Sequence, residues 1–338
     1  MGRDTNIEWC DSTINGTSGC DGCELWNSDT RICYAGTLQT DRLSKSLPAL
    51  YSPDFNEVRM IPGRFAQAAS WSDLRGIDRP TKPWLNGMPR CIFVGDLGDT
   101  FSRAVTDDYL TRELLGAIKS KNGQRHFWML LTKRPRRLAA LSEIWGGLPD
   151  NVMAMTTVTD QKTANARVAH LLKVRCKWRG LSIEPMLGPV ALDDLHVKDG
   201  RPGEWHVNCL DNEGIHVEDD PAFHGATIHW VICGGASGKE AVPMHPFWAR
   251  NLRDQCAAAG VPFFFKQWGS YKPTPAQPLP GIYNGGGIYV LQSGKLGCQG
   301  DWWHGRAVAM DSVSKKDGGR LLGVHTYNGF PALRKEGC

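Results

Sequence analysis

The chain has 338 residues, 41% of them hydrophobic and 22% charged, with a formal net charge of +4. This is ordinary for a globular enzyme and long enough for one large α/β domain or two small ones, while the charge is too mild to indicate a nucleic-acid partner by itself. No run approaches the roughly 18 apolar residues of a membrane span, and Met1-Gly2-Arg3-Asp4 lacks the basic and apolar stretch of a signal peptide.

Eleven cysteines without a secretory signal point to a reducing cytoplasm, where metal binding is favoured over a disulfide framework. In chain order, Asn6-Ile7-Glu8-Trp9 reads as a short first strand. It precedes a glycine-containing loop with Cys20, Cys23 and Cys33 in the pattern Cys-x2-Cys-x9-Cys; Cys10 lies upstream. Thiolates this crowded repel one another unless a metal neutralises them or they oxidise. Three of them leave one coordination position for something other than protein. Four, with Cys10, make a closed tetrahedral zinc site. Thiolates suit zinc and iron–sulfur clusters alike, so the spacing leaves both open.

Beyond the loop, apolar runs alternate with helical periodicity. Predicted strands are 91–96, 126–131, 152–157, 179–183, 228–233 and 261–265, continuous apolar stretches of the kind that parallel strands buried on both faces require. Asp107 to Lys119 places Tyr109, Leu110, Leu114, Leu115 and Ile118 on one helical face. Thr163 to Lys173 and Pro246 to Ala259 behave similarly, with Gly260 a stop signal. Trp128, Trp230, Trp248 and Trp268 lie in apolar stretches and read as core. The alternation predicts a βαβ architecture, and a full or partial (β/α) barrel and an open doubly wound sheet satisfy it equally. Residues 192–226 are polar and irregular, an expected insertion. Residues 272–312 are Pro- and Gly-rich, including Gly285-Gly286-Gly287, and predict a loop or small hairpin lobe.

Polar residues gather at the carboxyl ends of the predicted strands: Asp96 and Asp99, Thr132 and Lys133, Thr157 and Thr159, Glu184, Gly234 and Gly235, then Lys266 and Gln267. In parallel α/β folds that edge carries ligands and chemistry. Lys133-Arg134-Pro135-Arg136-Arg137 adds a compact basic cluster, suited to a phosphate backbone if it borders a site.

The loop ending Cys33-Tyr34-Ala35 resembles that of a phage-encoded, radical-SAM-like three-cysteine family. The resemblance extends through Leu131-Thr132-Lys133-Arg134-Pro135, Leu181-Ser182-Ile183-Glu184-Pro185-Met186-Leu187-Gly188-Pro189 and Trp230-Val231-Ile232-Cys233-Gly234-Gly235. It continues in Leu252-Arg253-Asp254-Gln255-Cys256, Gly260-Val261-Pro262-Phe263-Phe264-Phe265-Lys266-Gln267-Trp268-Gly269 and Lys315-Lys316-Asp317-Gly318-Gly319-Arg320-Leu321-Leu322. Two positions depart from the family pattern: Ala236 stands where a glutamate is usual, and Val242 near a common arginine. The cysteine spacing also differs from the Cys-x3-Cys-x2-Cys of most radical SAM enzymes.

The resemblance implies an α/β fold, a full or partial (β/α) barrel of radical SAM type with irregular insertions. Its core would span residues 1–271, with the insertion at about 192–226 and a Gly/Pro-rich extension, 272–338, packing on it. It implies a 4Fe-4S cluster held by Cys20, Cys23 and Cys33, with S-adenosylmethionine on the open iron. Cleavage of that cofactor gives a 5′-deoxyadenosyl radical that abstracts hydrogen. Tyr34, Asp99, Thr157, Glu184, Gly234 and Gly235 become cofactor-binding candidates, and Lys133, Arg134, Lys266 and Gln267 substrate-binding ones. No catalytic residue beyond the cluster is assigned. The implied reaction is an isomerisation of amino-acid-adducted thymidine, such as glycyl-thymidine, in phage DNA within the host cytoplasm, with a reductant such as flavodoxin. The competing reading is a zinc-stabilised nucleic-acid-binding or nuclease-partner protein that uses Cys10 as the fourth ligand.

Overall fold

A computed structural model describes residues 2–197, 205–211, 226–238, 240–274, 288–304, 306–314 and 316–332. Gly285-Gly286-Gly287, Lys315 and most of the predicted insertion lie outside the described residues. The strands in chain order are β1 (Ser12–Ile14), β2 (Thr17–Ser18), β3 (Arg59–Met60), β4 (Cys91–Val94), β5 (Phe127–Thr132), β6 (Val152–Thr157), β7 (Trp178–Ile183) and β8 (Leu195–Val197). They continue with β9 (Trp205–Val207), β10 (Trp230–Gly234), β11 (Phe263–Gln267), β12 (Tyr271–Pro273), β13 (Ile288–Leu291), β14 (Leu296–Gly297) and β15 (Ala307–Ser312). Seven form one sheet in the order β1-β4-β5-β6-β7-β10-β11. The fold is α/β, and no helix among the described residues is long and apolar enough to cross a membrane.

Contacts divide the chain into two compact units. The first runs to Thr157 and includes Arg167–Gly180 and the stretch from Phe330; the second holds Val158–Ala166 and Leu181–Gly329. In the first, β1, β4, β5 and β6 pair in parallel, with Ile92 opposite Trp128 and Met129 opposite Met153. All of β4 and β6 is buried, which is why their sequences are apolar without alternation. The helical segment 107–119 begins at Thr106, whose Oγ1 accepts from the Tyr109 N–H, and its middle, Leu110–Leu115, is π-helical. All five residues of its predicted apolar face are buried.

The first strand differs from expectation. Residues 6–7 are irregular and 8–9 make a turn, and β1 starts at Ser12. Lys82 causes this. Its ammonium gathers the carbonyls of Thr5, Ile7 and Cys10 at 2.7, 2.7 and 2.6 Å, a convergence that an extended strand does not allow. Just beyond, Arg79 clamps Asp11 through Nε and Nη2 at 2.7 and 3.2 Å and also binds the carbonyls of Leu85, Met88 and Pro89. The second Asp11 oxygen accepts from Cys91 N–H at the start of β4.

In the second unit, β10 and β11 pair in parallel, Val231 opposite Phe263, with a register shift between Cys233 and Gly234. Strands β12–β15 form a separate antiparallel sheet in the order β12-β15-β13-β14. The Gln161–Leu172 helix, of which only the start belongs to this unit, begins two residues before its predicted position because Asp160 and Thr163 cap it reciprocally, each side chain accepting the other's N–H. The Pro246–Ala258 helix ends at Gly260, whose φ is +67°. All four predicted core tryptophans are buried.

Two stability predictions follow from these anchors. Arg79→Ala strands a buried carboxylate and is expected to cost about 3–5 kcal/mol, measured as a lower urea midpoint. Asp11→Asn is expected to recover part of that loss in the double variant. His245 caps the Pro246–Ala258 helix by accepting the Phe247 N–H on Nδ1 at 3.1 Å. Burial, helped by Arg250, pulls its pKa from 6.5 down to about 4. The folded state therefore disfavours the imidazolium. The contribution is full above pH 6.5 and is lost as pH falls toward 4. His245→Asn, which keeps a capping acceptor, is expected to flatten the fall in unfolding free energy between pH 7 and 5.

Candidate functional site

The cysteine loop is fixed by backbone first. Gly19 has φ +76° and forms a parallel bridge with Gly98, in the loop after β4, and an added Cβ would lie 2.2 Å from the Glu57 carbonyl oxygen. A side chain does not fit, so the chain stays close enough to set Cys20 beside Asp99. Cys20 N–H donates to the Phe55 carbonyl, Cys23 and Trp26 exchange backbone bonds, and Cys33 N–H donates to Leu25. Cys20, Trp26, Ala35 and Phe55 pack as one apolar cluster against which Cys33 rests.

The thiols share an electrostatic neighbourhood. Burial pushes the Cys20 thiol above its ordinary pKa and the Asp99 charge adds to this, while Arg134 and the Gly22 N–H oppose it. Burial likewise raises Cys23, with Lys133 and the Leu25 N–H pulling the other way; Glu24 and Cys33 add to the rise. Both backbone N–H groups come from two residues after the cysteine they serve. They favour the thiolate form. Cys10 lies in different surroundings: it is fully buried, and the charges acting on it come from Lys82, Asp96, Cys91 and Asp11.

Arg134 ties the loop to the strand ends. Its guanidinium donates to Asp99 Oδ2 at 2.7 Å, to Asp21, and to the Gly22 carbonyl at 3.0 Å, and it lies 3.9 and 4.0 Å from Cys20 Sγ. Asp99 is fully engaged, accepting also from Phe101 N–H, Thr132 Oγ1 and Lys133 N–H. Glu24 meets Arg167 in a two-point pair at 3.0 and 2.6 Å, and Arg167 also binds the Thr157 carbonyl at the end of β6. Burial opposes the Glu24 carboxylate, but Arg167 outweighs it and holds the pKa below the usual range. Sequence reasoning missed Asp21, Glu24 and Arg167. The one available signal was the placement of two acids beside the Cys-x2-Cys pair.

The first unit thus brings together Cys20, Cys23, Cys33, Asp99, Lys133 and Arg134, with Thr157 joined through Arg167. Tyr34 opens the Tyr34–Leu38 helix directly after Cys33 and is 55% exposed. The basic run splits in use. Arg134 serves the loop, and Arg137 holds the carbonyls of Phe101, Ser102 and Val105 together with Asp107. Lys133 faces Cys23 and Glu24, and Arg136 is exposed.

The other five predicted residues fall in the second unit and form their own group. Lys266 Nζ donates to both Glu184 oxygens at 2.7 and 2.9 Å, and Gln267 Nε2 reaches Glu184 and Ser237 at 3.4 and 3.3 Å. Gly234 leaves room for this carboxylate: a Cβ would sit 3.2 Å from Glu184 Cδ. At Gly235 a Cβ would lie 2.0 Å from the Trp268 carbonyl oxygen, so close passage of this neighbouring backbone already accounts for the glycine. Cys233 is buried, with its thiol 3.8 Å from Met186 Sδ.

The three thiols are not gathered to the spacing of a closed zinc site. Zinc with Zn–S bonds of about 2.3 Å sets tetrahedral sulfurs about 3.8 Å apart. Among the described residues, the group whose donor atoms all lie within 4.8 Å is Asp194, His196 and His206, and the three cysteines do not meet that spacing. Sulfurs on separate irons of a cluster stand wider. The indole Nε1 of Trp26, packed with Cys20, is buried and has no acceptor among the described residues, a donor that sulfur acceptors would satisfy.

A family model described as "Protein of unknown function (DUF5131)" matches residues 4–331. Neither the curated proteins nor the solved structures give a match.

Removing Arg134 tests the loop's anchorage. Arg134→Ala leaves Asp99 and Asp21 without their shared cation, and amide hydrogen exchange in residues 19–33 is expected to rise by about tenfold or more. The central strands β4 and β5 are expected to keep their protection; unchanged exchange in the loop would show that Arg134 does not hold it.

Proposed function

The chain belongs to the DUF5131 family, whose function is unknown, and we propose that Cys20, Cys23 and Cys33 ligate a 4Fe-4S cluster in a radical SAM enzyme. The observation that carries this reading is the donor set: three cysteines share one neighbourhood with Arg134, while Cys10 lies in another. Three protein ligands leave one iron for S-adenosylmethionine. When bound, the cluster supplies the electron that cleaves that cofactor's sulfonium bond.

This chain's own residues prepare the site. Arg134 and Lys133 bring positive charge to an anionic group, and the Gly22 and Leu25 N–H groups favour the thiolates. Arg134, held by Asp99, and Arg167, held by Glu24, fix the loop from two sides. The finer reading is a substrate of the nucleic-acid class, an amino-acid-adducted thymidine in phage DNA that is rearranged from nitrogen to carbon attachment. Lys133 and exposed Arg136 are the phosphate contacts of that reading, since Arg134 and Arg137 are engaged within the protein. Glu184, Lys266 and Gln267 form their own hydrogen-bonded group in the second unit. The four-cysteine zinc reading lacks its fourth ligand in this neighbourhood.

Anaerobic reconstitution with iron and sulfide, then reduction with S-adenosylmethionine present, tests the proposal. The wild-type chain and Cys10→Ala are expected to bind about four irons and to release 5′-deoxyadenosine, and Cys33→Ala to lose both properties. A colourless zinc protein that Cys10→Ala strips of metal would sink the cluster reading. For the substrate, nucleoside mass spectrometry is expected to show a changed base in hypermodified phage DNA and none in unmodified DNA; no change in either would retire the DNA reading.

A further inference from the structure

A second cluster of metal-ligating side chains lies in the second unit, within the region whose sequence reads only as polar and irregular. Strands β8 and β9 pair antiparallel with Leu195 opposite Val207, His196 opposite His206 and Val197 opposite Trp205. Leu195, Val197 and Val207 are buried. Strand alternation therefore turns the directly opposed His196 and His206 to the other face. Asp194, two residues before His196, shares that face.

The geometry is already convergent. His206 Nδ1 lies 2.5 Å from Asp194 Oδ1, and His196 Nε2 lies 3.8 Å from Asp194 Oδ2. The imidazole centroids are 4.2 Å apart, and one donor atom from each residue falls within 4.8 Å of the other two. The scaffold beneath is fixed, since His196 N–H donates to Asn165 Oδ1 and Asn165 is held in turn by Gln161. An ion pair between Asp194 and His206 needs neither the second histidine nor its alignment across the ladder.

We propose that Asp194, His196 and His206 form a binding site for a divalent first-row transition ion, with two imidazoles and one carboxylate as protein ligands. Imidazole and carboxylate donors suit zinc, cobalt and nickel, and bonds of about 2.0–2.2 Å need only small side-chain movements to close around the ion. The three side chains are about half exposed, so water completes the coordination and the ion exchanges with solvent. Bound there, it cross-links β8 to β9. The site contains no sulfur and stands independently of the cysteine loop.

The test is an anaerobic titration with cobalt chloride, because cobalt reports its donors. The chain with Cys20, Cys23 and Cys33 all replaced by alanine is expected to take up one cobalt ion with visible d–d absorption that lacks a near-ultraviolet thiolate charge-transfer band, and wild-type protein to show the same d–d absorption. The His196→Ala/His206→Ala double variant is expected to lose that ion, and Asp194→Asn to bind it at least tenfold more weakly. Zinc chloride is expected to raise the thermal midpoint of the wild type and not of the double variant, and matching midpoints without metal check that the hairpin still folds. Cobalt bound only through thiolates, or a thiolate-free ion that survives in the double variant, would overturn the assignment.

Discussion

The loop that carries three cysteines depends on one guanidinium. Arg134 follows the end of β5 and reaches back to Asp21, the Gly22 carbonyl and Cys20, while Asp99 after β4 holds it from the other side. A charge in this position does two things. It fastens an irregular segment to the rigid strand ends, and it brings positive potential to the Cys20 thiol, whose pKa burial and Asp99 push up. Glu24 and Arg167 repeat the device one residue past Cys23. Without such pairs, an irregular loop that buries Cys20 and half-buries Cys23, Cys33 and two acids would have little reason to stay closed.

Much of the sheet was legible because its strands are buried on both faces. The strands β4, β5 and β6 read as unbroken apolar runs, and Gly260 marked a helix end in the position the structure gives it. The first strand was not legible. Asn6-Ile7-Glu8-Trp9 has the composition of a strand, but its backbone is turned by Lys82, which lies over 70 residues away in sequence. A local pattern carries no information about a cation arriving from that distance.

The site follows the same division. Cysteine spacing identified the loop, and the chemistry of thiols limited what it can hold. What Arg134 does was hidden, because Lys-Arg-Pro-Arg-Arg has the appearance of a solvated basic surface. Its partners Asp99 and Asp21 lie 35 and 113 residues away. The glycines after β10 show the opposite case: Gly234 and Gly235 looked suited to cofactor approach, yet the Glu184 side chain and the Trp268 backbone already occupy the space beside them. The histidines of the β8–β9 hairpin escaped notice because only the ladder register sets one opposite the other.

In the proposed cluster, three cysteines leave a position open where a fourth would have closed it. The most direct test of this is the electron paramagnetic resonance spectrum of the reduced, iron-reconstituted chain, recorded before and after addition of S-adenosylmethionine. A reduced four-iron signal whose g values shift when the cofactor is added is expected. A signal indifferent to the cofactor, or none from a fully reconstituted sample, would contradict it.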